Sequence, residues 1–171
     1  MEQWVVLLRG INVGGHGKLP MADLQALLAA QGAQDVRTYI QSGNAVLRGV
    51  MPDISALMDA VAAQFGFRRD AMVLSTARFE AVFAECPFVP LEGKHLHVWF
   101  TGPINTPDLS APLAYAAADE ALHIGTEAVY LHAPSGIGHS KLAESLGRYL
   151  PPAATARNWN TVLKIRAMLA E

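Results

Sequence analysis

Val36-Arg37-Thr38-Tyr39-Ile40-Gln41-Ser42-Gly43-Asn44-Ala45-Val46-Leu47-Arg48 is the stretch that decides the fold. From Val36 to Gln41 the residues alternate, with Arg37, Tyr39 and Gln41 on one face and Thr38 and Ile40 on the other, the period of a half-buried strand. Ser42-Gly43-Asn44 supplies turn residues, and Ala45-Val46-Leu47-Arg48 returns as the hairpin partner. Strands joined by so tight a turn run antiparallel. Upstream, Trp4-Val5-Val6-Leu7-Leu8-Arg9 is a continuous apolar run, the mark of a buried central strand. Between the two, Pro20 opens a helix with Met21, Leu24, Leu27 and Leu28 at helical spacing and Gly32 as its stop. Downstream, Asp53 caps a helix whose stripe is Ile54, Leu57, Met58, Val61 and Phe65, Gly66 ends it, and Ala71–Ser75 is another strand. The order is βαββαβ, the split arrangement of ferredoxin-like folds.

The order then recurs. A short helix over Ala77–Glu85 leads to a linker, Cys86–Lys94, punctuated by Pro87, Pro90 and Gly93. His95–Thr101 alternates His95, His97 and Trp99 against Leu96, Val98 and Phe100. Thr106-Pro107 reads as the N-cap and first residue of a short helix that ends in the Ala116–Ala118 run, with Pro112 inside it. Ala121–Gly125 and Ala128–Ala133 read as two short strands, and Ser140–Leu150 as a helix. No last strand is evident in this second copy; Pro151-Pro152 leads instead to a final helix over Asn158–Leu169. The expected fold is α+β: two ferredoxin-like (βαββαβ) α/β-plait units, residues 1–88 and 94–171, with a C-terminal helix.

Composition sets the outer limits. The chain has 171 residues, enough for one ordinary domain or two small ones. Hydrophobic residues make up 51% and charged residues 16%, which excludes a disordered chain. No apolar run reaches the roughly 18 residues of a membrane helix, and the acidic start Met1-Glu2-Gln3-Trp4 is no signal peptide. The single cysteine, Cys86, excludes an internal disulfide and a zinc cage. The expected location is the cytoplasm. A net charge of −2 argues against a generic polyanion binder. The tail is nonetheless basic, with Lys141, Arg148, Arg157, Lys164 and Arg166 against Glu144 and Glu171 from Ala133 onward.

Four segments carry chemistry. The first is Gly10-Ile11-Asn12-Val13-Gly14-Gly15-His16-Gly17-Lys18, flanked by Arg9 and set between strand and helix. Its glycines free backbone amides to turn toward a phosphate or carboxylate at a helix N-terminus. It is neither a P-loop nor a G-x-G-x-x-G fingerprint, so no nucleotide cofactor is implied. The second is Tyr39-Ile40-Gln41-Ser42-Gly43-Asn44. An aromatic with amides on a sheet is how single strands of nucleic acid are often read, and the plain alternative is a hairpin turn. The third, Tyr130–Lys141, again runs strand, glycine loop, helix start, and places Ser140 and Lys141 where an anion can sit. The fourth is Ala156-Arg157-Asn158-Trp159-Asn160-Thr161. There Asn158 can cap the last helix, Arg157 is a cation just before it, Asn160 lies in its first turn and Trp159 reads as packed. His95 and His97 share a strand face, but two ligands do not make a metal site.

These motifs resemble a known family. Leu8–Gly15, Tyr39–Asn44, Gly138 with Ser140-Lys141-Leu142, and Arg157–Val162 are similar, in the same order, to segments of the bacterial domain-of-unknown-function 1697 family. The resemblance spans essentially the whole chain and implies two ferredoxin-like units and no assigned reaction. Where the family pattern implies aromatic-Pro-Asn-Gly, this chain reads Ala133-Pro134-Ser135-Gly136, and an expected Arg or Lys before Ser140 is His139. Both departures weaken the third motif as an anion site.

The functional expectation is a small anionic ligand, phosphate- or carboxylate-bearing, a nucleotide included, bound at glycine-rich loops. Arg9, Asn12, Lys18, Gln41, Asn44 and Arg157 are expected to gather around it. The alternatives are a single-stranded nucleic-acid binder and a protein-binding regulatory module. Against an enzyme stands the absence of a recognisable nucleophile, metal set or carboxylate pair, and for one stand His16, His132 and His139 near glycine loops.

Overall fold

The computed structural model describes residues 1–171. The chain forms two compact units, residues 1–80 with 164–171, and residues 81–163. The fold is α+β. Each unit holds a four-stranded antiparallel sheet in ferredoxin-like order, and the chain ends in a helix.

In the first unit β1 is Gln3–Leu8, α1 Met21–Ala30, β2 Gln34–Tyr39, β3 Asn44–Arg48, α2 Ile54–Phe65 and β4 Ala71–Ser75, with sheet order β2-β3-β1-β4. Val5, Val6, Leu7 and Leu8 are all fully buried, as a central strand covered on both faces must be. One core holds Val6, Leu8, Ala45 and Leu47 of the sheet against Leu24 and Leu28 of α1 and Leu57, Met58 and Val61 of α2. The helix stops are chemical. The Asp53 carboxylate accepts from the Ala56 amide at 3.0 Å, and Gly66 closes α2 at φ 78°. Strand β2 ends at Tyr39, one residue short of Ile40, which leaves the strand at φ 51° and is exposed. The expected strand through Gln41 is corrected there, because the turn needs a left-handed residue before Ser42. A β-branched side chain in that region is strained by about 1–3 kcal/mol.

In the second unit β5 is Leu96–Phe100, α4 Ser110–Leu113, β6 Ala121–Ile124, β7 Ala128–His132, α5 Lys141–Leu146 and β8 Thr155–Asn158. The sheet order is β6-β7-β5-β8. Trp99, Val129 and Leu131 of the sheet pack with Leu109, Leu142 and Leu146. Helix α3 (Thr76–Glu85) begins in the first unit and α6 (Trp159–Leu169) in the second. Two expectations are corrected. The last strand is present: β8 pairs with β5, Val98 facing Arg157 and Phe100 facing Thr155. Helix α4 runs only from Ser110 to Leu113 rather than from Pro107 into the Ala116–Ala118 run, and the Asp108 carboxylate holds the Ser110 amide at 3.0 Å. No helix is long and apolar enough to cross a membrane.

Candidate functional site

The antiparallel register of β1 brings three separate segments to one end of the first sheet. Leu7 faces Asn44 on β3, and Leu8 faces Ala71 on β4. Whatever follows β1 therefore meets whatever precedes β3 and β4. On the β3 side this joins the first two sequence motifs. The Asn12 amide donates to the Leu19 carbonyl at 2.9 Å and to the Gln41 carbonyl at 2.7 Å, and its oxygen accepts from the Leu19 amide at 2.9 Å. Asn12 sits at φ 53°, a conformation asparagine tolerates better than most residues. The buried Asn44 donates to the Tyr39 carbonyl at 3.0 Å and to the Ser42 hydroxyl at 3.1 Å. The Leu8 amide donates to the Gly43 carbonyl at 2.8 Å. Gly43, at φ 86°, lies so close that a Cβ there would come 2.7 Å from Leu8 Cβ and 2.8 Å from Ile11 Cδ1.

The Asn12 amide thus ties its own loop and reaches across to the second, while the Asn44 amide ties its own turn. Between Asn12 and Gly17 the chain forms a small hairpin, with Val13 and His16 exchanging backbone bonds of 3.2 and 3.0 Å. Gly14 and Gly15, both left-handed, form its exposed tip. Lys18 and Gln41 are exposed, and Tyr39 is half-buried.

On the β4 side the register builds a cleft. Arg9, Gly10, Arg68, Arg69 and Asp70 line a cavity of about 400 Å³. The Arg9 amide donates to the Asp70 carbonyl at 2.9 Å, which fixes the two strands' ends. Arg68 forms an ion pair with Asp59 and donates to the Ser55 hydroxyl at 3.3 Å. Arg69 donates to the Arg68 carbonyl at 3.0 Å, and its guanidinium carbon lies 5.4 Å from the centre of the Phe67 ring. Gly10 stands 3.8 Å, at its would-be Cβ, from the Arg69 side chain. Arg68 and Arg69 were not among the expected site residues. The signal was in the sequence: Phe67-Arg68-Arg69-Asp70 places two arginines side by side just before a strand.

In the second unit Ser140 is buried and caps α5, accepting from the Ala143 amide at 3.0 Å and donating to the Glu120 carboxylate at 3.1 Å. Lys141 is exposed and, with Tyr115, Glu144, Ser145 and Arg148, lines a smaller cavity of about 230 Å³. Asn158 caps α6, accepting from the Thr161 amide at 2.9 Å. Arg157 was expected as a free-standing cation before that helix; it is instead a strand residue, 8% exposed, donating to the Ala156 carbonyl at 2.8 Å. Burial pushes its guanidinium down to about 10. Trp159 is packed as expected, stacked on Phe83 with centroids 5.0 Å apart.

Those two rings, with Phe88, Cys86 and Asn160, line a largely apolar cavity of about 590 Å³. Burial raises the Cys86 thiol, which opposes a reactive thiolate. His97 lies against Trp99, its Nδ1 buried without a hydrogen-bond partner, and burial lowers its pKa. No group of three or more His, Cys, Asp and Glu side chains could hold a metal ion.

Comparison with known proteins agrees with this architecture. A conserved bacterial protein, SP0830, from Streptococcus pneumoniae has a solved structure that matches with a TM-score of 0.71 and 26% identity, covering 98% of each chain. Among curated proteins none matches. Residues 1–130 match the sequence model of DUF1697, described as a protein of unknown function. With three quarters of its length inside that match, and the two-sheet fold continuing to its end, the chain belongs to the DUF1697 family.

Proposed function

We propose that the protein binds a small phosphate- or carboxylate-bearing ligand in the arginine cleft of its first unit. One observation carries this reading: Arg9, Arg68 and Arg69, drawn from two segments some sixty residues apart, line a single concavity of about 400 Å³. Guanidinium groups recognise oxyanions through paired, planar hydrogen bonds. The volume falls at the small end of ligand sites, which run about 300–1,000 Å³. The neighbouring loop supports the same reading. Gly10, left-handed at φ 64°, lines the cleft and presents no side chain to it.

Calorimetric titration with inorganic phosphate and with simple mono- and dicarboxylates tests the reading. At least one of them should bind, and Arg69→Ala should weaken it by about tenfold or more, the worth of a charged hydrogen bond. The variant should keep its melting temperature, because Arg69 otherwise touches only a neighbouring carbonyl and the Phe67 ring. Absence of binding by every anion, or binding unchanged in Arg69→Ala, refutes the reading. A steep fall of affinity with salt, as in contacts to many phosphates, would favour single-stranded nucleic acid instead.

A further inference from the structure

We propose that the ligand of the arginine cleft carries a cationic nitrogen close to its carboxylate, as an α-amino acid does. The inference rests on the reading of the cleft as an anion site and narrows it. Asp70 lines the same concavity as the three arginines and is exposed. Its position is fixed by the sheet: its carbonyl holds the Arg9 amide at 2.9 Å, and β4 begins at the next residue. Its carboxylate nevertheless has no ion pair or hydrogen bond, although Arg69 directly precedes it. Arg68 is already matched by Asp59, and Arg69 is held by the Phe67 ring and the Arg68 carbonyl. The cleft therefore offers guanidinium groups and an uncommitted carboxylate together.

That combination discriminates between ligands. A phosphate dianion attracted by the arginines is repelled by Asp70 at the same time. A ligand with an ammonium beside its carboxylate converts the repulsion into a second attraction.

Matched pairs that differ only by the ammonium group provide the test. The full chain is titrated with glutamate against glutarate, with alanine against propionate, and with inorganic phosphate as a probe lacking any cation. The amino acid of at least one pair should bind about tenfold tighter or better than its partner. Asp70→Asn, which keeps the backbone carbonyl and the side-chain shape, should abolish that advantage and tighten glutarate and phosphate. Arg69→Ala should weaken both members of the pair. If the deaminated acids bind the unaltered protein as tightly as the amino acids, and Arg69→Ala weakens them, the role of Asp70 is refuted while the anion site stands. If nothing in the panel binds, the anion site itself is refuted and this inference with it. The comparison within the unaltered protein decides the matter whether or not the Asp70 variant folds.

Discussion

Replacing Gly43 with alanine tests the junction on which the first unit's loops depend. Two costs add. At φ 86° an L side chain sits in the left-handed region, which costs about 1–2 kcal/mol. The new methyl would also lie 2.7 Å from Leu8 Cβ and 2.8 Å from Ile11 Cδ1, both in fully packed surroundings. Leu8 Cβ is fixed to the central strand and cannot swing away, so the chain must shift, at about 1–3 kcal/mol for such overpacking. The expected loss is about 2–5 kcal/mol. Gly14→Ala and Gly15→Ala are the controls: both positions are left-handed, but a Cβ at either meets nothing within 4 Å. They should lose only the conformational part, about 1–2 kcal/mol. Urea titrations followed by far-ultraviolet circular dichroism give the three differences, and exchange of the Leu8 amide, bonded to the Gly43 carbonyl, reports the junction directly. If Gly43→Ala loses no more than Gly14→Ala, the close packing described here does not govern stability.

Two further outcomes follow from the same structure. Asn12→Ala removes two bonds within its own loop and one to the second loop and should cost about 3 kcal/mol at roughly 1 kcal/mol each; a urea midpoint unchanged from the parent contradicts the clamp. The buried Tyr130 hydroxyl donates to the Val82 carbonyl at 2.6 Å, and burial, with the Glu85 carboxylate adding, raises its pKa well above the ordinary phenol value of 10.0. The fold prefers the neutral phenol, so its contribution is complete below pH 10 and declines as the pH rises beyond it. Tyr130→Phe should lose about 0.5–1.5 kcal/mol at neutral pH and show a flatter stability profile above pH 10 than the parent.

The fold was legible where its signals are local. Alternation in Val36–Tyr39, the turn at Ser42-Gly43-Asn44 and the helical stripes of α1 and α2 depend on neighbours within a few residues, and the structure has them where the pattern places them. Strand β8 was not legible for the converse reason. Thr155-Ala156-Arg157-Asn158 has a charged residue in its middle and two prolines close before it, so nothing local marks it as a strand. It is one because β5 has a free edge that pairs with it, and pairing turns Thr155 and Arg157 to the buried face while Ala156 faces out. The role of Asn12 and Asn44 was half legible. Polar residues in turns predict hydrogen bonds, but the partners, Leu19 and Gln41 for one and Tyr39 and Ser42 for the other, depend on which loops meet.

By itself, the sequence determined the α+β class, the βαββαβ order of the first unit, its repetition in the second up to the last strand and the glycine-marked turns, because periodicity, caps and turn chemistry act over short distances. The tertiary structure decided which side chains share a surface. Arg9 stands beside Arg68, Arg69 and Asp70 because β1 and β4 run antiparallel with Leu8 facing Ala71, a register that the buried faces of the two strands fix together and neither strand specifies alone.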